Sequence, residues 1–283
     1  MRMPMDVVIA EHAGACYGVE RALKLAASTA RETTGSVHTL GPLIHNPLVV
    51  DELTQAGVEL AENLEDVASG ALIVRTHGVV PQVIEDARGR GLNVVDATCP
   101  YVKKVHHAAA RLIQEGYQLI VVGEAGHPEV EGILGHAGGE AWVVGEPSDL
   151  DQIEVAKRVG VVVQTTQTAD RLAAIVAALS TRVQELKVVN TICEATSERQ
   201  RAAAELAERS GCIIVIGGKN SGNTRRLAEI CRARCSNTHH IEDANEIDAS
   251  WFCNVELCGI TAGASTPQSH IQRALDRIEE LGA

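Results

Sequence analysis

The 283 residues carry 37 acidic and 25 basic side chains, a formal charge of −12, with 45% hydrophobic and only 2% aromatic residues. That balance excludes a disordered chain, argues against nucleic acid or an anionic membrane as partner, and leaves no aromatic platform for stacking bases. No apolar run approaches the ~18–20 residues that a membrane helix needs. Residues 1–10 lack the h-region of a signal peptide, so the expected location is cytoplasmic. The eight cysteines are then read as thiols or metal ligands before disulfides.

In chain order, the apolar run Val7-Val8-Ile9 leads into a small loop, Ala13-Gly14-Ala15-Cys16-Tyr17-Gly18, and a helical pattern over 19–30. Glycines on both sides of Cys16 let the backbone approach a ligand closely. The turn-rich segment Gly41-Pro42-Leu43-Ile44-His45-Asn46-Pro47 precedes a helix expected over 49–56. Leu72-Ile73-Val74 ends in Arg75-Thr76-His77-Gly78, and Pro81 suits the first turn of the next helix. A lone loop histidine is usually a surface residue; His45 and His77, at two equivalent strand ends, are candidates for a site.

Val94-Val95-Asp96-Ala97-Thr98-Cys99-Pro100 repeats the order strand, loop thiol, helix, with the helix expected over 101–115. The loop Gly123-Glu124-Ala125-Gly126-His127-Pro128-Glu129-Val130-Glu131-Gly132 is the densest in chemistry. A carboxyl such as Glu129, held beside a partly desolvated site, can stay protonated and act as an acid. The plainer reading is a first-turn carboxylate that complements the helix dipole. In an extended loop Glu131 would face the other way. Val161-Val162-Val163 ends in Gln164-Thr165-Thr166-Gln167-Thr168, which by composition alone would be a helix cap.

Val188-Val189-Asn190-Thr191-Ile192-Cys193 makes the third strand-and-thiol copy, with a helix expected over 198–209. The buried-looking run 212–216 leads into Gly217-Gly218-Lys219-Asn220-Ser221-Gly222-Asn223-Thr224, suited to an anion because backbone N–H groups and hydroxyls meet a helix N-terminus there. It is not a Walker A loop, since the Gly-Lys-Ser/Thr order is absent. Thr261-Ala262-Gly263-Ala264-Ser265-Thr266 has the same character. Cys231 and Cys235 are expected on one helix, and Cys212, Cys253 and Cys258 in strands. All five read as structural, since a buried free cysteine behaves as a small hydrophobe. A zinc site at Cys231 and Cys235 is not expected without a second pair.

The spacing makes this a repeat. His45, His127 and Ser221 lie 29, 28 and 28 residues past their cysteines, and His77, Thr165 and Ser265 lie 61, 66 and 72 past. The fold class expected is α/β, with three similar units at 1–93, 94–186 and 187–283 arranged pseudo-threefold around a centre. Three thiols on separate loops could form a Cys₃ zinc site or hold an iron–sulfur cluster. A fully ligated 4Fe–4S cluster takes four cysteines, so three would leave one iron open to a substrate.

The segments around Cys16, Cys99 and Cys193, together with Gly126-His127-Pro128-Glu129-Val130-Glu131-Gly132, Gln164-Thr165-Thr166, Lys219-Asn220-Ser221-Gly222-Asn223 and Thr261-Ala262-Gly263-Ala264-Ser265, resemble those of the 4-hydroxy-3-methylbut-2-enyl diphosphate reductases, the LytB family, across essentially the whole chain. The resemblance implies a 4Fe–4S cluster on Cys16, Cys99 and Cys193 at the centre of the three units, with the substrate hydroxyl at the fourth iron. It implies that His45, His77, His127, Ser221, Asn223 and Ser265 hold the diphosphate, that Thr165 lies near the allylic hydroxyl, and that Glu129 is the proton donor. Reduced ferredoxin or flavodoxin would supply two electrons, giving isopentenyl and dimethylallyl diphosphates and water. One position departs: many members carry a second serine where this chain has Gly222, which can still offer its backbone N–H.

Two other readings use the same residues. One is a non-redox cluster dehydratase, or a quinolinate-synthase-like enzyme, which shares three units around a three-cysteine cluster, but the anion-suited loops at Ser221 and Ser265 argue against it. A cluster-based redox sensor or carrier would not need the Glu129 loop.

Overall fold

Runs such as Ala71-Leu72-Ile73-Val74 and Cys212-Ile213-Ile214-Val215-Ile216 have no polar face to give to water. They form strands of parallel sheets covered on both sides. The computed structural model describes residues 5–281. In chain order the elements are β1 (Asp6–Ile9), α1 (Tyr17–Glu32), β2 (Val37–Leu40), α2 (Pro47–Gln55), β3 (Val58–Ala61), β4 (Ala71–Val74), α3 (Pro81–Gly89), β5 (Asn93–Asp96), α4 (Pro100–Gln114), β6 (Gln118–Val122), α5 (Pro128–Ala137), β7 (Ala141–Val144), β8 (Arg158–Val163), α6 (Ala169–Ser180), β9 (Glu185–Val188), α7 (Glu194–Arg209), β10 (Cys212–Ile216), α8 (Gly222–Arg232), β11 (Thr238–Ile241), β12 (Leu257–Ala262) and α9 (Gln268–Glu280). Among the described residues, no helix is long and apolar enough to cross a membrane.

The strands make three parallel four-stranded sheets of matching order: β3-β2-β4-β5, β7-β6-β8-β9 and β11-β10-β12-β1. In each, the strand that leads to a cysteine is an outer strand. For β5 and β9 the partner is a strand earlier in the chain, and for β1 it is a strand later in the chain. Thus β5 joins β4, β9 joins β8, and β1 joins β12 from the other end of the chain. The sheets therefore open on β2, β6 and β10, whereas units starting at 1, 94 and 187 open on the cysteine strand. Residues 1–4 and 282–283 of those units lie outside the described residues. The short strands β3, β7 and β11, absent from the sequence reading, complete the sheets.

Two compact units divide these elements. One holds the described residues up to 20, 45–51 and those from 194 onward. Its sheet is β11-β10-β12-β1. Alternate residues of β10 point to opposite faces: Ile214 and Ile216 pack with Ile271, Ala274 and Ile278 of α9, and Ile213 and Val215 pack with Ala203 and Leu206 of α7 and Leu227 of α8. The approach of α7 is close, since a Cβ on Gly259 would lie 2.8 Å from Leu206.

The other unit, 21–44 and 52–193, holds the remaining two sheets. Val105, Ala109 and Leu112 of α4 pack with Leu119, Val121 and Val162, while Ile120, Val161 and Val163 face Leu172, Ile175 and Leu179 of α6. Here too a strand glycine admits a helix: a Cβ on Gly160 would lie 2.9 Å from Leu112.

Two cysteine expectations need correction. Cys235 lies past the end of α8, so it does not share that helix with Cys231. Cys253 follows a 3₁₀ turn over Ala249–Phe252 and is exposed, neither in a strand nor a buried hydrophobe. Cys212 and Cys258 are register partners in β10 and β12, and both are fully buried.

Candidate functional site

Every candidate residue lies just past the C-terminal end of a parallel strand, the edge at which α/β folds bind ligands. Cys16 directly precedes α1, Cys99 is the N-cap of α4, and Cys193 directly precedes α7. All three are partly exposed. Their backbones are latched alike. The N–H of Cys99 donates to the carbonyl of Thr76 at 3.0 Å, that of Cys193 to Thr165 at 3.1 Å, and that of Cys16 to Ala264 at 3.1 Å. Each thiol loop is thus tied to the loop that carries, or adjoins, His77, Thr165 or Ser265.

Guanidinium groups sit beside two of these loops. Arg21 reaches the carbonyls of Asp96, Ala97 and Thr98 at 3.3–3.4 Å. Arg199, only 3% exposed, donates to the carbonyl of Gly14 at 2.8 Å. Thiols ahead of helices, with cations nearby, form a donor set that fits an iron–sulfur group, whose thiolates and sulfides gather negative charge. Cys16 belongs to one compact unit, Cys99 and Cys193 to the other. Among the described residues, no group of three or more His, Cys, Asp or Glu side chains is placed to hold a metal ion.

In the first unit the candidates are Cys16, His45, Ser221, Gly222, Asn223 and Ser265. Ser221 is the N-cap of α8, and its hydroxyl accepts from the Thr224 N–H at 3.3 Å. Gly222, Asn223 and Thr224 form the buried first turn. Asn223 is 3% exposed, and neither its amide nitrogen nor its amide oxygen has a hydrogen-bond partner. Buried polar groups are nearly always paired, so an open amide at a helix N-terminus is a candidate ligand contact. Ser265 Oγ donates to the His45 carbonyl at 3.1 Å, and Asn46 Nδ2 donates to the Ser265 carbonyl at 2.9 Å. Lys219 points elsewhere, with Nζ on Glu246 at 2.7 Å.

In the second unit Glu129 is the second residue of α5 and only 2% exposed. Its Oε1 accepts from the Thr165 N–H at 2.6 Å and its Oε2 from the Thr165 hydroxyl at 2.8 Å. Burial pushes the carboxyl up to about 7, against the two Thr165 bonds that pull it down. His127 is the N-cap of α5, and its Nδ1 accepts from the Glu129 N–H at 3.1 Å. The rings of His77 and His127 meet edge to face at 5.6 Å. Glu131 is exposed. A continuous path therefore runs from the Glu129 carboxyl through Thr165 to the backbone of Cys193.

Asn46, Arg21 and Arg199 were not singled out from the sequence. Asn46 stands beside His45, so the loop itself carried a signal; an arginine within an amphipathic helix gives none.

The LytB protein family model matches residues 7–279. A Geobacter sulfurreducens protein named 4-hydroxy-3-methylbut-2-enyl diphosphate reductase is 48% identical over 277 residues, covering 98% of each chain. An Aquifex aeolicus protein of the same name is 46% identical over 280 residues, covering 98% of this chain and 97% of that one. Two solved structures are similar. One, described as (E)-4-hydroxy-3-methyl-but-2-enyl diphosphate reductase, the terminal enzyme of the non-mevalonate pathway, has a TM-score of 0.73 at 46% identity, covering 98% of this chain and 100% of that one. The other, the E-1-hydroxy-2-methyl-but-2-enyl-4-diphosphate reductase from Plasmodium falciparum, has a TM-score of 0.90 at 27% identity, covering 97% of this chain and 88% of that one.

Proposed function

The chain belongs to the LytB protein family, and from that premise we propose that it is a 4-hydroxy-3-methylbut-2-enyl diphosphate reductase acting in the last step of the non-mevalonate isoprenoid pathway. The reaction breaks the allylic C–O bond of the substrate. Two electrons and two protons enter, and isopentenyl or dimethylallyl diphosphate leaves with water. An iron–sulfur cofactor goes with this family. We assign it as a 4Fe–4S cluster on Cys16, Cys99 and Cys193. When bound, it supplies electrons to the allylic carbon–oxygen bond. Reduced ferredoxin or flavodoxin is the donor, and the cytoplasm the location, in this reading.

The chain's own residues have two tasks. The first is to hold a diphosphate without many cations. Asn223 offers an open amide, Ser221 and Ser265 offer hydroxyls, Gly222 offers a backbone N–H at the positive end of α8, and His45, His77 and His127 offer imidazoles. The second is to deliver a proton to the departing oxygen. With its pKa near 7, Glu129 carries a proton in a large share of molecules at neutral pH. When Glu129 is protonated, its O–H can donate to Thr165 Oγ1, which frees the Thr165 hydroxyl proton to point at the substrate oxygen. The leaving group then departs as water instead of hydroxide.

The observation that carries this reading is the buried Glu129 carboxyl locked to Thr165. The test is anaerobic purification with iron and sulfide analysis, followed by turnover of the hydroxymethylbutenyl diphosphate with a low-potential reductant. Prenyl diphosphates formed as reductant is consumed support it. Product formed without consumption of reductant would point to a dehydratase and sink it.

A further inference from the structure

Two helical turns beyond Cys99, α4 buries a histidine. His106 is 5% exposed, and its ring stacks on that of His136 in α5, with centroids 3.9 Å apart and planes 14° from parallel. His136 is held in turn by a 2.8 Å hydrogen bond between its Nδ1 and the Gly132 carbonyl. The outer edge of the His106 ring faces two glycines. A Cβ on Gly78 would lie 3.0 Å from its Cε1, and a Cβ on Gly132 would lie 3.3 Å from its Nε2. Gly78 closes the His77 turn with φ +76°, a conformation that suits glycine. Gly132 is one turn past Glu129 in α5. The His77 carbonyl lies 3.4 Å from the same point beside Gly132. One imidazole therefore touches the helix that starts at Cys99, the turn that carries His77, and the helix that starts at His127 and Glu129.

A hydrocarbon ring would pack here as well. His106 instead keeps a buried Nε2 with no hydrogen-bond partner, and the residue lines a cavity of about 120 Å³ together with Asp96, Thr98, Lys103 and His107. A buried polar atom left unpaired is costly and rarely kept without a use. Burial, with His136 and His107 alongside, pushes the ring down to about 3, so it is neutral at physiological pH.

We propose that His106 is a positioning residue: it sets the His77 turn against α5 so that His77, His127 and Glu129 share one geometry, and its Nε2 hydrogen-bonds that turn when the anion is bound. This rests on reading His77 as a diphosphate ligand. The ring stack supplies rigidity, and the polar edge supplies the register between turn and helix.

The test uses the reconstituted holoenzyme. His106→Phe keeps the ring and the stack but removes Nε2; His106→Gln returns a polar group near that position. His106→Phe is expected to raise KM, and the dissociation constant of inorganic diphosphate measured by calorimetry, about tenfold, with kcat changed less than threefold and iron content kept. His106→Gln is expected to stay within about threefold of wild type in both constants. Wild-type constants in His106→Phe overturn the proposal, as does a tenfold loss in His106→Gln. If His106→Phe does not fold, the His106→Gln result decides alone. Wild-type protein that binds diphosphate but does not turn over the hydroxymethylbutenyl substrate would defeat the proposed reaction, yet leave the calorimetric comparison of variants valid.

Discussion

The loops after β6 and β10 hold equivalent places in their sheets and begin their helices in the same way. In each the N-cap side chain closes its own helix: His127 accepts from Glu129 N–H, and Ser221 accepts from Thr224 N–H. Past the cap they differ. After β6, both oxygens of Glu129 are bonded to Thr165; after β10, both polar atoms of Asn223 have no partner. A group whose own proton must move is kept fixed and desolvated, which tunes it before substrate arrives. A group that must grip an anion is left unsatisfied, so that the ligand completes it. In the proposed reading, repeated architecture thus carries two different chemistries by changing which polar atoms are satisfied.

The bluntest break removes what both loops would serve. Cys16→Ser, Cys99→Ser or Cys193→Ser should each abolish iron binding or nearly so, because a hydroxyl is a poor substitute for thiolate on iron. Cys212→Ser, Cys231→Ser, Cys235→Ser, Cys253→Ser and Cys258→Ser should leave iron per chain near wild type. An essential residue among those five would show that the ligand assignment is wrong.

Next is the reacting side of the comparison. Glu129→Gln keeps shape and hydrogen bonding but has no proton to give. Turnover should drop by roughly 10² to 10⁴, the range for losing a general acid, with iron content and KM close to wild type. Near-normal turnover with a low-potential chemical reductant would remove Glu129 from the role.

On the gripping side, Asn223→Leu should act in opposite directions on binding and stability. Losing the amide should raise KM about 10- to 100-fold, the equivalent of roughly 1–3 kcal/mol for a bond to a charged oxygen. Removing an unpaired buried amide should also raise the thermal midpoint of the substrate-free protein, by a few degrees if about 1 kcal/mol is recovered. A lower midpoint in Asn223→Leu would mean that the amide is structurally satisfied.

The smallest effect sharpens the pH argument. Activity that needs protonated Glu129 should fall as pH rises past about 7. The Thr165 hydroxyl bond lowers that pKa, so Thr165→Val should move the alkaline limb of the residual activity to higher pH. A limb that moves down, measured as kcat against pH, would reverse the sign of the coupling. Stability follows the same group. Its folded pKa lies above the ordinary carboxylate value, so its contribution is full at acid pH and is lost as pH climbs towards about 7.

Much of the fold could be read in the chain because parallel strands buried on both faces are nearly continuous apolar runs. β4, β6, β8, β10 and β12 stand out on that ground, and the helices after the cysteines follow from 3.6-residue periodicity. What could not be read was pairing. Nothing in Val7-Val8-Ile9 says that its partner is Cys258-Gly259-Ile260, because hydrogen-bond ladders leave no mark on side-chain pattern. The strands β3, β7 and β11 are only four residues long, too little pattern to stand out. At the site, Glu129 was legible as a carboxyl between glycines, but its burial and its Thr165 partner were not. His106 was hidden for another reason: a histidine in an amphipathic helix reads as surface, and only the stack on His136 reveals it as interior.

The pairing of β1 with β12 also sets an order of events during synthesis. The loop of Cys16 is made before strands β2 to β12, yet the carbonyl that latches it belongs to Ala264, which follows β12. Until β12 has emerged, β1 has no neighbour to pair with, whereas β2 to β5, with Cys99, can assemble early. Seating of the Cys16 loop is therefore gated by β12. A polypeptide cut before β12 would keep the backbone latches of Cys99 and Cys193 but lose that of Cys16, so the proposed cluster would be short of one seated ligand until β12 and the Ala264 loop are in place.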